Sequence, residues 1–190
     1  MERIEIEKKL KKELSKDRFR HTLGVMYTAA SLAMAHEVDM EQALYAGLLH
    51  DCAKCIPNKE QLRLCKEKKI AITESEEKSP YLLHAKLGAY FAKKEYGIVD
   101  EEILHAIQVH TTGAPHMNPL DMIIYIADYI EPNRDKAPNL SEIRKLAFEN
   151  LDKTMLFILI DTLSYLEQGK GDVDPMTALT YKYFYEKLML

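Results

Sequence analysis

Two aspartates of this 190-residue chain stand where apolar side chains are expected. Asp51 follows His50 directly after Ala43–Leu49, a seven-residue run without a charge. Asp128 sits between Met122–Ala127 and Tyr129-Ile130, inside the most apolar helical stretch of the chain. A carboxylate buried without a partner costs several kcal/mol, so a cation, whether side chain or metal, is the natural compensation. Adjacent residues on a helix point roughly 100° apart, so the His50-Asp51 pair needs partners from other helices to complete a site. A capping role or an ordinary salt bridge would explain either aspartate taken alone.

Histidines supply the rest of the pattern. His21 has Gly24 three positions on, and His84 has Gly88 four positions on. Residues so spaced share a helix face, so each imidazole lies beside a notch where another backbone can come close. His110 ends an apolar-rich helix and opens the turn His110-Thr111-Thr112-Gly113. His36, His105 and His116 have polar or loop surroundings and belong at the surface. Any one of His21, His84 or His110 alone reads as a satisfied core histidine. Beside two embedded aspartates they favour a metal. Neutral imidazole with carboxylate suits iron, manganese, zinc or nickel and does not suit an all-oxygen magnesium or calcium cage. Cys52 and Cys55 form a C-x-x-C spacing next to the pair, but Cys65 is alone and no second pair exists to close a zinc site. These cysteines read as small buried side chains.

The elements that must position these residues are helices. Three-to-four spacing of apolar residues dominates, and period-two alternation is scarce. Helices are expected near 2–15, 18–37, 40–50, 58–68, 79–96, 100–109, 118–130, 140–149, 150–168 and 175–189. Asp39 should cap the third, and Asp174-Pro175 is a start signal for the last. Gly97 and Gly113 should close helices, Gly169–Gly171 should mark a turn, and Glu131-Pro132-Asn133 should end the helix before it. The stretch 66–78 is the most loop-like. No repeat or long linker is visible, so one all-α domain is expected over residues 1–190. A metal-binding core would span about 18–134, and helices in 140–190 would complete the fold and the pocket beside that core. A bundle of this kind builds metal sites from side chains on facing helices.

Composition narrows the function. The net charge of −4 and pI near 6.0 give no general basic field, so nucleic acid and membrane surfaces are not expected partners. The longest uninterrupted apolar runs are six residues, Met122–Ala127 and Met155–Ile160. The first residues lack a signal-peptide core. Three cysteines point to reduced thiols and a cytoplasmic home. No P-loop, G-x-G-x-x-G or G-x-S-x-G motif is present, so phosphate recognition would fall to metals and cations.

The assembled residues resemble the HD superfamily of metal-dependent phosphohydrolases, whose H…HD…D pattern is matched by His21, His50-Asp51 and Asp128. The surrounding strings RFRHTLGV (18–25), LLHDCAK (48–54), LLHAKLGAY (82–90), HTTG (110–113) and IADYIEPNR (126–134) resemble the bacterial YqeK family of symmetrical diadenosine tetraphosphate hydrolases. The resemblance runs from about residue 15 to the C-terminus. It implies an HD helical bundle carrying iron, and cleavage of the dinucleotide into two ADP. His21, His50, Asp51 and Asp128 would hold the primary metal. His84 and His110 would hold a second metal or contact phosphate directly. Arg18, Lys54 and Arg134 would bind phosphates, and the segment 172–177 would lie near the nucleotide.

The residue types suit that chemistry. Coordination can lower the pKa of water from ~15.7 toward ~7, which makes hydroxide available to attack an inner phosphorus. Asp51 could bridge two ions, and Lys54, three residues on, could reach the same cavity and act with it in catalysis. Two alternatives stay open at this point. Another HD phosphohydrolase, acting on a dNTP, a nucleoside monophosphate or a cyclic dinucleotide, would use the same ligands. A nucleotide-binding regulator with little turnover would also keep them. The helix at 2–15 or the strip at 155–160 could serve a homodimer, although core packing is the simpler account of both.

Overall fold

The computed structural model describes residues 1–169 and 173–189, and among them every regular element is helical. The helices are α1 (Arg3–Glu13), α2 (Lys16–Ala35), α3 (Met40–Leu49), α4 (Asn58–Glu67), α5 (Glu74–Lys78) and α6 (Leu83–Lys94). They continue with α7 (Glu101–Val109), α8 (Pro119–Ile130), α9 (Leu140–Ala147), α10 (Leu151–Gln168) and α11 (Pro175–Met189). None is long and apolar enough to cross a membrane.

The centre of the fold is α8. Every residue from Leu120 to Ala127 is buried, which a helix tolerates only when neighbours surround it. It packs against α2, α3, α7, α9 and α10, so Asp128, near its C-terminal end, is delivered to the place where those helices meet. Local chemistry sets its start: Asn118 and Asp121 form a capping box, and Pro119 occupies the first helical turn. Helices α2 and α3 lie backbone to backbone. A Cβ on Gly47 would stand 2.8 Å from Met26 Cα, so only glycine admits this approach. That contact brings His21 on α2 toward His50 at the end of α3. Phe184 of α11 and Met155 and Leu159 of α10 are fully buried in the same core as Leu48 and Ile123. A smaller cluster of Ala53, Cys65, Leu83 and Leu87 holds α4 against α6.

Most expected boundaries are found within a residue or two. Asp39 accepts from Gln42 N at 3.0 Å, Asp174 accepts from Met176 N at 2.8 Å, and Gly97 and Gly113 adopt positive φ after α6 and α7. Gly171 and residue 172, parts of the expected turn and of the C-terminal motif, lie outside the described residues. Two expectations need correction. The 66–78 stretch contains α5, because Thr73 and Glu76 form a capping box and Lys78 pairs with Glu74 at 2.9 Å. The helix expected from 79 instead begins as a short 3₁₀ turn, Pro80–Leu82, and becomes α-helical only at Leu83, since Ser79, held out of the helical region before the proline, has φ −125° and ψ 68°.

Candidate metal centre and substrate cavity

The six residues marked by sequence meet in one place, drawn from five helices or their ends. His21 comes from α2, His84 from the first turn of α6 and Asp128 from α8. His50 and His110 each occupy the residue where α3 and α7 terminate, and Asp51 follows His50 in the turn. Both helix ends therefore aim an imidazole inward. Gly88 allows the crossing beside them, its missing Cβ leaving 3.3 Å to the His50 carbonyl.

Asp51 is the hub. Its Oδ2 lies 3.4 Å from His50 Nε2 and 3.7 Å from His21 Nε2. Its Oδ1 lies 3.2 Å from His84 Nε2 and 3.6 Å from His110 Nε2. The two oxygens thus face two different sets of imidazoles. On the first side Asp128 Oδ1 stands 3.0 Å from His21 Nε2. Burial alone would raise the Asp51 carboxyl, but the rings of His50, His110 and His84 outweigh it and hold the group well below the ordinary carboxylate range. Asp128 is likewise held low, where burial is outweighed mainly by His21 and His50.

The imidazoles are set for ligation. His50, His84 and His110 each turn Nδ1 toward the carbonyl three residues earlier, Gly47 O at 2.7 Å, Tyr81 O at 2.6 Å and Ile107 O at 2.7 Å. A carbonyl only accepts, so the proton sits on Nδ1 and each Nε2 offers a lone pair. His84 Nε2 and His110 Nε2 then face one another at 3.2 Å, two acceptors with nothing to share. Burial pushes the His84 imidazole down to about 4, so it is neutral near pH 7. His21 Nε2, His50 Nε2 and Asp51 Oδ1 are buried without a hydrogen bond, despite their close neighbours. Buried lone pairs left unsatisfied around one space are what a cation would satisfy. Three ligand groups lie close enough to share an ion: His21, His50 and Asp51 on one side, Asp51, His84 and His110 on the other, and His50, His110 and Asp128, which draws on both.

Cations ring the cluster. Arg18 Nη1 donates to Asp51 Oδ2 at 2.6 Å, and Arg134 Nη2 donates to Asp128 Oδ1 at 2.6 Å. Lys54 Nζ lies 3.1 Å from His84 Nε2. Burial lowers the Lys54 pKa, while Asp51 and Asp128 pull the other way. All three cations expected at the site are there, on carboxylate or imidazole partners. Beside them opens a cavity of about 500 Å³ whose walls include Lys54, Thr111, Tyr125, Tyr129, Arg134 and Lys136.

Several residues differ from their sequence reading. Glu131, expected only as a helix stop, is buried with Oε1 3.1 Å from His21 Nδ1. The notch at Gly24 therefore admits the Glu131 side chain rather than a backbone. Thr111 was unmarked, yet its hydroxyl is 3.2 Å from Nε2 of both His84 and His110. Asp128 is half-buried rather than fully enclosed, and the second buried aspartate beside Asp51 is Asp121, whose partner is exposed His105, at 2.9 Å. His116 is also exposed, but His36 is half-buried, its Nε2 2.7 Å from Ala147 O. Of the cysteines only Cys65 is buried, its thiol pushed up to about 11 by burial, whereas Cys55 is exposed and Cys52 half-buried. No cysteine joins a ligand group among the described residues.

Residues 18–133 match the HD domain family. The chain belongs to the HD superfamily. Its similarity to individual members extends past the matched segment. It is 39% identical over 174 residues to the symmetrical bis(5′-nucleosyl)-tetraphosphatase of Bacillus subtilis, covering 92% of each chain. The protein of the same name from Staphylococcus aureus is 36% identical, over 87% of this chain and 86% of its own length. Among solved structures, one described as a predicted HD superfamily hydrolase involved in NAD metabolism, from Clostridium acetobutylicum, superposes with a TM-score of 0.95. It is 38% identical, with 98% of each chain covered. The HD doublet of this chain is His50-Asp51, which places the family's defining pair at the hub of the cluster.

Proposed function

We propose that this HD protein hydrolyses diadenosine tetraphosphate symmetrically, releasing two ADP, in a metal-dependent reaction. The observation that carries the reading is Asp51, whose two oxygens face separate imidazole groups, in a cluster whose His84, His110 and Asp128 line a cavity edged with cations. The names of the tetraphosphatase relatives support the substrate. When bound, a divalent metal supplies Lewis acidity, lowering the pKa of water toward ~7 and offsetting phosphate charge. The protein does the rest. His21, His50, Asp51 and Asp128 would hold one ion, and Asp51, His84 and His110 a second. Iron is the ion we propose, and manganese, zinc and nickel suit the same donors.

Lys54, Arg134 and Lys136 line the cavity with positive charge, which a polyphosphate needs to enter. A guanidinium matches phosphate oxygens in pairs, so Arg134 and Arg18 can exchange their carboxylate partners for substrate. Lys54 reaches the same space from the turn after Asp51 and is suited to neutralise charge on the departing ADP. The rings of Tyr125 and Tyr129 and the side chain of Ile158 give the cavity an apolar wall for an adenine. Ile158 and Thr162 of α10 line the cavity and Thr180 of α11 hydrogen-bonds the Thr112 carbonyl beside His110, which supports giving the helices after residue 140 a part in the nucleotide pocket.

We also place the protein in the cytoplasm, on its three free thiols, and propose a homodimer through α10. In the 155–160 strip Met155, Leu156, Ile158 and Leu159 face the core, while Phe157 and Ile160 are 52% and 43% exposed. Sedimentation checks the dimer.

The test of function is product analysis on iron-loaded protein. ADP as the sole product supports the reading, and ATP with AMP overturns it. A panel containing dNTPs, a nucleoside monophosphate, a cyclic dinucleotide and a nicotinamide dinucleotide covers the other HD substrates and the NAD metabolism for which the Clostridium protein is named.

A further inference from the structure

The four imidazoles are not equivalent. Three rest their Nδ1 on a neutral carbonyl of their own helix end. His21 alone rests on a carboxylate, Glu131 Oε1 at 3.1 Å. Glu131 is 1% exposed and has no part in the chemistry described above. Its second oxygen accepts from the backbone N–H of Asn133 at 2.7 Å and from Asn133 Nδ2 at 2.8 Å. Each oxygen of the carboxylate therefore faces donors, and an amide at this position would turn one donor against another. Gly24 makes the space: a methyl group there would run into Glu131 Oε2 and stand 3.3 Å from Asn133 Nδ2.

We propose that Glu131 is a positioning residue that makes the two cation positions unequal. It keeps the proton of His21 on Nδ1, leaving the Nε2 lone pair for the ion, and its charge makes that imidazole a stronger donor than the other three. The position built by His21, His50, Asp51 and Asp128 is then the tight one, and that built by Asp51, His84 and His110 the exchangeable one. An outer carboxylate on a ligating histidine is worth ~10–100-fold in metal affinity. The inference rests on the metal-centre reading but not on the identity of the substrate.

The experiment is titration of metal-free protein with Mn²⁺, paired with ¹⁵N spectra of the histidine rings. Wild-type protein should show a tight and a weak class of site, with His21 as the Nδ1–H tautomer. In Glu131→Gln the tight class should weaken ~10–100-fold while the weak class holds, and His21 should shift toward Nε2–H. His84→Ala should remove the weak class only. Gly24→Ala displaces the carboxylate without removing its charge and should weaken the same class, which covers the case in which Glu131→Gln fails to fold. Tight binding unchanged in both variants, or a wild-type His21 protonated on Nε2, overturns the proposal. Because no substrate is present, failure to cleave diadenosine tetraphosphate would sink the proposed function and leave this inference standing.

Discussion

Asp51 serves both halves of the cluster, so its removal should undo both. Asp51→Ala is expected to lose most bound metal and at least ~10³-fold of hydrolysis, while the helical signal in circular dichroism persists. Elemental analysis beside a turnover assay checks it; retained metal would displace Asp51 from the hub. Lys54 touches an imidazole but carries no ligand lone pair. Lys54→Ala should therefore keep its metal and lose ~10–100-fold in kcat/KM, the worth of one charge-assisted phosphate contact. The ligands were legible because a charge inside an apolar stretch is conspicuous: Asp51 and Asp128 each interrupt one. Glu131 was not, because a glutamate before Pro132 reads as a helix stop, and only the tertiary fold reveals His21 across from it. Thr111 was hidden by its neighbour His110, and Asp121 by an ordinary place in a capping box.

At the scale of elements, two glycines decide how helices meet. Gly47→Ala would drive a methyl group against the Met26 backbone, which cannot rotate away, and should cost ~1–3 kcal/mol with loss of metal as α2 and α3 part. Gly113 has φ of +67°, and its Cβ would meet Thr180 Cγ2 at 2.6 Å. Gly113→Ala should destabilise the His110 turn by a similar amount. Thermal melts of both variants, with and without metal, check this; unchanged midpoints would refute the packing argument. Helix ends were readable where a side chain caps them locally, as at Asp39 and Asp174. The break at Pro80 and the short α5 were not, since five residues offer too little periodicity to separate a helix from a charged loop.

For the molecule as a whole, acid is the telling variable. His84 titrates at about 4 when folded, against an ordinary 6.5. Between those values the unfolded chain takes up a proton that the folded chain refuses, so stability falls as pH drops through 6.5 toward 4. Asp51 and Asp128, held low, contribute stability above the ordinary carboxylate value of 3.8 and add losses only below it. Metal-free protein should accordingly lose ~2 kcal/mol from His84 between about pH 7 and about pH 5, measured by urea unfolding. A flat profile would contradict the neutral, buried imidazole. Phe184 joins α11 to the common core, so one unfolding transition is expected. Thr180 also ties α11 to the ligand turn, its hydroxyl lying 3.2 Å from the Thr112 carbonyl. A nascent chain grown past Asp128 already holds every proposed ligand, yet the clasp that steadies His110 arrives 52 positions later in the sequence. Metal capture is thereby made to wait for α11, and a ribosome-bound fragment ending shortly after Asp128 should take up metal poorly although it carries all the ligands.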